Sequence, residues 1–278
     1  MAAFKIPAWV FGHLFEYQAW EDVTLATRER IQQGMQVLQV AEPEISIVLP
    51  LYNEADRLLH TLSSLSQLLI PDQIPTELVV INDGSEDGTV ELLHAIGLTC
   101  HSHPQRLGIP QARQTGLELA KGNIILQADG DSLYPPYWGL GFMEQLAQEE
   151  VALVYGGHAI LPESLRRKWR YFIYESLREN LYDLRRWHRP YLNVLGFNMA
   201  FRREDALQYG SYEHDQLGSD DGAMAKSLMK IGRLVFLEGE ESQVWTSDRR
   251  LKKDGGLWPA FWKRVQKEGG RLSEYLKG

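Results

Sequence analysis

Cysteine is nearly absent: Cys100 stands alone among 278 residues. No intrachain disulfide can form and no cysteine cluster can hold zinc, so a reducing compartment is expected. No uncharged apolar run approaches the roughly 18 residues that cross a bilayer. The N-terminus lacks a signal-peptide pattern. Positive charge is not in excess either: 29 Lys and Arg face 37 Asp and Glu, a formal net charge of −8. That balance argues against broad electrostatic binding of nucleic acid, and no nucleic-acid partner is expected. Internal repeats and low-complexity linkers are missing. What is present suffices for a real core, with 44% hydrophobic and 24% charged residues excluding disorder, collagen and coiled coil. The expectation is a cytoplasmic chain, soluble or peripheral on the cytoplasmic membrane face.

Residues 1–43 read as a helical N-terminal extension. Ile31, Met35 and Leu38 recur at helical spacing and Pro43 closes the segment. Its aromatic cluster, Trp9, Phe11, Phe15, Tyr17 and Trp20, can dock on the main domain, a partner or a membrane. From Ile45 the pattern changes. Ile45–Leu49, Glu77–Ile81, Leu98–His101 and Asn123–Ala128 read as buried strands, separated by helical segments over 58–69, 89–96 and 109–121. Such alternation predicts an α/β fold with a mostly parallel sheet flanked by helices. Ligands of these sheets bind beyond the carboxyl ends of the strands.

Three strands run straight into polar clusters there. The first meets Pro50-Leu51-Tyr52-Asn53-Glu54, the second Asn82-Asp83-Gly84-Ser85, and the last Asp129-Gly130-Asp131. Two carboxylates one residue apart suit a hard cation carrying phosphates, and Gly130 lets the backbone come close. The same Asp-Gly-Asp is also an ordinary turn sequence. An Asp at a strand end, Asp83, can accept from a nucleobase edge; Asp87 or Thr89 beside it can cap the next helix. Tyr52 can stack on a base, and Glu54 can reach its edge or a ribose. Arg113 falls in the first turns of a helix, where a guanidinium can meet phosphate or base.

In order and spacing these clusters, with Arg106-Leu107-Gly108 and Ala112-Arg113, resemble the family 2 glycosyltransferases of GT-A fold. The resemblance runs over roughly 44–250. It divides that stretch into a nucleotide-sugar-binding half (44–135) and an acceptor half (136–250), leaving 251–278 as a C-terminal helical tail. It implies an inverting transfer from a nucleotide sugar, a UDP-sugar with GDP-sugar as the alternative, to a hydroxyl of a glycan or lipid-linked acceptor. Pro50, Tyr52, Glu54, Asp83, Arg113, Asp129 and Gly130 would hold the donor. Asp131, with Asp129, would hold a divalent metal, Mn2+ or Mg2+.

Gly218-Ser219-Asp220-Asp221 opens a helix where the family carries its general base, which makes Asp221 the base and Asp220 its companion. An N-cap and helix-dipole role suits the same pair. Asn198, in Gly196-Phe197-Asn198, matches the acceptor-side strand, and Trp138 is a candidate aromatic platform for a sugar. The chain departs from the family in reading Asp-Asp for Glu-Asp. It also has no histidine after His214 to complete a metal site, leaving Ser247 and Asp248 as stand-ins.

The segment 164–191 interleaves Arg166, Arg167, Lys168, Arg170, Arg178, Arg185, Arg186 and Arg189 with Trp169, Tyr171, Phe172, Tyr174 and Trp187. Two readings stay open. One lays a basic amphipathic helix on anionic lipid; the other packs its aromatics on the sheet with the arginines solvated or paired. Two other classes compete with a transferase. A sugar-nucleotide pyrophosphorylase would carry a glycine-rich loop where Pro50–Glu54 stands. A non-catalytic nucleotide-sugar-binding module would be expected to lack one of the carboxylates.

Overall fold

A computed structural model describes residues 6–71, 74–162, 168–210, 212, 220–253 and 255–269. Two helices come first, α1 (Ala8–Phe11) and α2 (Leu25–Val37). The alternating region follows as β1 (Ile45–Leu51), α3 (Leu58–Leu65), β2 (Thr76–Asn82), α4 (Thr89–Ile96), β3 (His101–Ser102), α5 (Ile109–Leu119) and β4 (Ile124–Gln127). Next come β5 (Ser132–Leu133), α6 (Leu140–Leu146), β6 (Val151–Gly156), β7 (His158–Leu161), α7 (Lys168–His188) and β8 (Met199–Arg202). The described chain ends with α8 (Arg203–Tyr209), α9 (Asp220–Leu228), β9 (Arg233–Leu237), β10 (Val244–Ser247), α10 (Arg249–Lys253) and α11 (Leu257–Gly269).

Seven strands form the main sheet in the order β3-β2-β1-β4-β8-β6-β9. β1 to β4 are parallel, β1 as a continuous apolar run buried on both faces; β3 is only the exposed pair His101–Ser102, not the expected buried strand Leu98–His101. β8 runs antiparallel to both of its neighbours, which the sequence pattern did not show. A second sheet, β5-β10-β7, is small and lies outside the expected strand set. Register fixes the working edge. Leu51 pairs with Asn82 and Val48 with Gln127, so residues 52–54, 83–85 and 129–131 leave the sheet side by side.

Alternation along β1 builds two cores. Ile45, Ile47, Leu49 and Leu51 face one cluster with α3 and α4, while Val48 faces the other with Leu117 of α5 and Met224 of α9. The N-terminal segment is not separate from this core. Trp20, Val23, Ile31, Met35 and Leu38 are buried in the first cluster, because the apolar stripe of α2 faces α3 rather than solvent.

The described part of the basic aromatic segment follows the packing reading, with Arg178 and Arg186 paired to Glu175 and Asp183. Residues 163–167, with Ser164, Arg166 and Arg167, lie outside the described residues, as do the side chains of Lys168, Trp169, Arg170, Phe172 and Trp187. On the rest of α7, Tyr174 is buried as the packing reading expects. Arg178 and Arg185 are buried too, instead of solvated. Arg178 reaches His158 Nε2 at 2.7 Å and donates to the His158 carbonyl at 2.8 Å.

Candidate active site

The carboxyl edge of the sheet opens into a cleft of about 430 Å³. Pro50, Tyr52, Glu54, Asp83, Asp129, Gly130 and Asp131 line it, joined from the second half by His158, Phe197 and Arg249. The expected donor-side residues therefore share one cavity, apart from Arg113.

The Asp-Gly-Asp turn is held from all sides. Tyr134 accepts from the Asp129 N–H at 2.8 Å and donates to the Phe197 carbonyl at 3.2 Å. Thr61 donates to the Gly130 carbonyl at 2.9 Å. A Cβ at Gly130 would press on the Leu51 side chain and crowd Glu54, so glycine lets the turn sit close on β1 without displacing them. Ser247 grips Asp131 twice, from its N–H to the carbonyl at 3.2 Å and from Oγ to Oδ2 at 2.8 Å. These contacts leave the Asp129 and Asp131 carboxylates part-exposed toward the cleft.

Arg113 departs from the phosphate-binding expectation. The residue is 3% exposed, and its guanidinium is taken up by three carboxylates. Nη2 meets Asp129 at 3.0 Å, Nη1 meets Asp220 at 2.6 Å, and Nη1 also pairs closely with Asp221. Burial opposes its charge, but Asp221, Asp129 and Asp220 outweigh it and hold the guanidinium protonated far above its ordinary range. Arg113 couples two parts of the fold: it ties the Asp129-Gly130-Asp131 turn to the start of α9. Gly196 makes room for it, since a Cβ there would strike both the guanidinium and Asp221. Gly218 and Ser219, just before this pair, lie outside the described residues, as does His214.

Asp83 is also engaged differently. It accepts from the N–H groups of Leu107 and Gly108, each at 2.8 Å, and from His103 Nδ1 at 2.9 Å. Three of roughly four lone-pair directions of the carboxylate thus hold the loop before α5. The Tyr52 ring carries the Arg106 guanidinium 4.0 Å from its centroid, so one stacking face is already covered.

Glu54 points into the carboxylate cluster, not toward a base edge. Arg249 pairs closely with its Oε1, and Oε2 is buried with no hydrogen-bond partner. Burial pushes the Glu54 carboxyl up to about 7, assisted by Asp131 and Asp129 and opposed by Arg249. Arg249 also lies 3.5 Å from Asp131 Oδ2. The sequence reading missed it, because Asp248-Arg249-Arg250 looks like a solvated charge run.

Two acceptor-side expectations are overturned by burial. Trp138 is 1% exposed and Asn198 0%, so neither can touch a sugar. Trp138 Nε1 donates to Asn198 Oδ1 at 2.9 Å, and Asn198 Nδ2 donates to the carbonyls of Gly157 and Ser242. Together they bind the main sheet to the second one behind the cleft.

Asp248 is likewise unavailable to a metal. It is buried, accepts from the Tyr171 hydroxyl at 2.7 Å and pairs with Lys252 at 3.3 Å. Among the described residues no cluster of three or more His, Cys, Asp or Glu is arranged to hold a metal ion. Asp129 and Asp131 alone fit Mg2+ or Mn2+ that brings phosphate oxygens with it, since these ions commonly use one or two carboxylates plus phosphates.

Residues 46–210, which hold the donor-side part of this site but not Asp220, Asp221, Ser247 or Arg249, match the family model for glycosyl transferase family 2. The chain belongs to that family. Over 153 residues it is 25% identical to the glucosyl-dolichyl phosphate glucuronosyltransferase of Haloferax volcanii, covering 50% of this chain and 46% of that protein. The curated relatives it matches first are spanned over about a third to a half of their length. Among solved structures, the mannosyltransferase PcManGT of Pyrobaculum calidifontis, in complex with GDP-Man and Mn2+, superposes with a TM-score of 0.55 at 21% identity. That match covers 93% of this chain and 73% of PcManGT. TarS of S. aureus in complex with UDP gives 0.52 at 16% identity, over 73% of this chain and 60% of TarS. These likenesses make the fold of this family 2 chain GT-A: a large, mostly parallel sheet flanked by helices.

Proposed function

We propose that this family 2 chain is an inverting glycosyltransferase that moves a sugar from a nucleotide sugar to a hydroxyl of a glycan or lipid-linked acceptor. The observation that carries the reading is the meeting of Asp129 with Asp220 and Asp221 on Arg113, at the edge of a cleft that also holds Asp131. Donor-side and acceptor-side carboxylates are thereby kept within one guanidinium of each other. Asp221 is the base that takes the acceptor proton as its oxygen attacks the anomeric carbon. A positioned base contributes about 10²–10⁴-fold. Asp129 and Asp131 hold the divalent cation, which when bound offsets charge on the departing diphosphate as a Lewis acid. Tyr52 and the loop pinned by Asp83 form the nucleoside end of the cleft. Arg249 contributes a second positive charge beside the diphosphate position.

UDP is the first expectation for the nucleotide, and TarS in complex with UDP supports it. A GDP-sugar with a lipid-phosphate acceptor is the second reading. PcManGT in complex with GDP-Man favours it, as does a relative whose name includes dolichyl phosphate. A thermal-shift screen of UDP- and GDP-sugars with and without Mn2+, followed by assay of donor hydrolysis, tests the proposal. Mn2+-dependent stabilisation and hydrolysis of one nucleotide class support it. Stabilisation by none of them, with no hydrolysis, overturns it.

A further inference from the structure

Charge is distributed very unevenly along the chain. Residues 249–278 carry nine Lys and Arg against three Asp and Glu, although the whole chain has a net charge of −8. Within this basic stretch α11 is two-faced. Leu257, Phe261 and Val265 recur at i, i+4 and i+8; Leu257 is buried and Phe261 packs with Tyr174 of α7 at 6.3 Å between centroids. The neighbouring stripe holds Trp258 and Trp262, which remain 38% and 59% exposed. Both rings lean edge-on to Phe261, at 6.4 and 6.0 Å. Lys263 beside them and Lys252 and Lys253 on α10 are exposed.

Folding alone does not account for two exposed tryptophans one turn apart. An amphipathic helix with tryptophan on one stripe and lysine around it is suited to the interface of an anionic bilayer, where the indole sits at headgroup depth. Each basic residue near such a surface adds electrostatic attraction that salt screens. No helix among the described residues is long and apolar enough to cross a membrane, so contact through this helix would be peripheral. Position supports function as well: Arg249, Leu251 and Lys253 of α10 line the cleft.

We infer that α10 and α11 form a docking surface for anionic lipid, seating the cleft mouth at a bilayer surface. The link to a lipid-linked acceptor rests on the transferase reading; the docking itself does not. The test is co-sedimentation of the full chain with phosphatidylcholine vesicles, with and without about 30% phosphatidylglycerol, at about 50 and 500 mM salt. The expected result is pelleting with the anionic vesicles only, largely reversed at high salt. Trp262→Ser and Lys263→Glu should each reduce pelleting at least about fivefold while keeping the parent melting temperature. Brominated lipid in the anionic vesicles should quench the parent's tryptophan fluorescence, a readout that needs no variant.

Absence of both pelleting and quenching overturns the inference. So does pelleting that neither substitution reduces, or binding to duplex DNA without binding to vesicles. Failure of the transferase reading shows separately, as loss of donor hydrolysis with vesicle binding intact.

Discussion

Arg113 and Asp221 lie 108 positions apart in the chain and form a buried-edge ion pair. The same guanidinium holds Asp220 and Asp129, so three negative charges from two halves of the fold share one cation. Removing that cation leaves them mutually repelling. Arg113→Met should destabilise the chain by about 3 kcal/mol, the lower end for a broken buried pair because the carboxylates are partly hydrated. Thermal unfolding checks this. Adding Asp220→Asn to the Met variant should restore part of the loss.

Gly196→Ala places a methyl group where Arg113 and Asp221 already meet. Overpacking of this kind costs about 1–3 kcal/mol. Because displacement falls on Asp221, the proposed base, turnover should drop about 100-fold, with donor affinity changed far less. Parallel measurement of kcat and donor Kd separates the two effects.

Arg249 stands beside Asp131 in the place of a counter-charge. Two unit charges near 4 Å interact by about 1–4 kcal/mol between bulk-water and protein-surface screening. Arg249→Ala should therefore strengthen binding of Mn2+ alone about tenfold, as read by electron paramagnetic resonance. Nucleotide-diphosphate binding should weaken in the same variant, since the cation beside the proposed diphosphate position has gone.

Glu54 gives a pH dependence with a definite sign. Its folded carboxyl sits at about 7, above an ordinary value of 4.5, mainly through burial. The folded state thus holds the proton more tightly between those values. Its contribution is full below 4.5 and is lost as pH rises through 7. Glu54→Gln cannot ionise. Without metal, its stability relative to the parent should rise between about pH 5 and pH 8, by at most about 3 kcal/mol. An unchanged difference across that range would contradict the assignment.

Much of this arrangement was legible in the sequence, for physical reasons. Parallel strands buried on both faces appear as unbroken runs such as Ile45–Leu49, and the polar residues that end them fall at one sheet edge. The Asp129-Gly130-Asp131 turn and Asp83 were found that way. Partners were not legible, because ion pairs such as Arg113 with Asp221 depend on how distant segments fold back. Trp138 and Asn198 illustrate the converse, since a tryptophan near a polar turn looks the same whether it faces ligand or binds two sheets together. Arg249 was hidden by its basic neighbours. The antiparallel β8 carries no local sign of its direction.

Asp221→Asn most directly tests the division of labour between the carboxylates. Kd for the nucleotide sugar with Mn2+ and kcat for transfer should be measured on the same preparation. The account predicts donor affinity within about threefold of the parent and at least a 100-fold fall in kcat, the size of a lost general base. Retained turnover, or donor binding lost together with turnover, would contradict it.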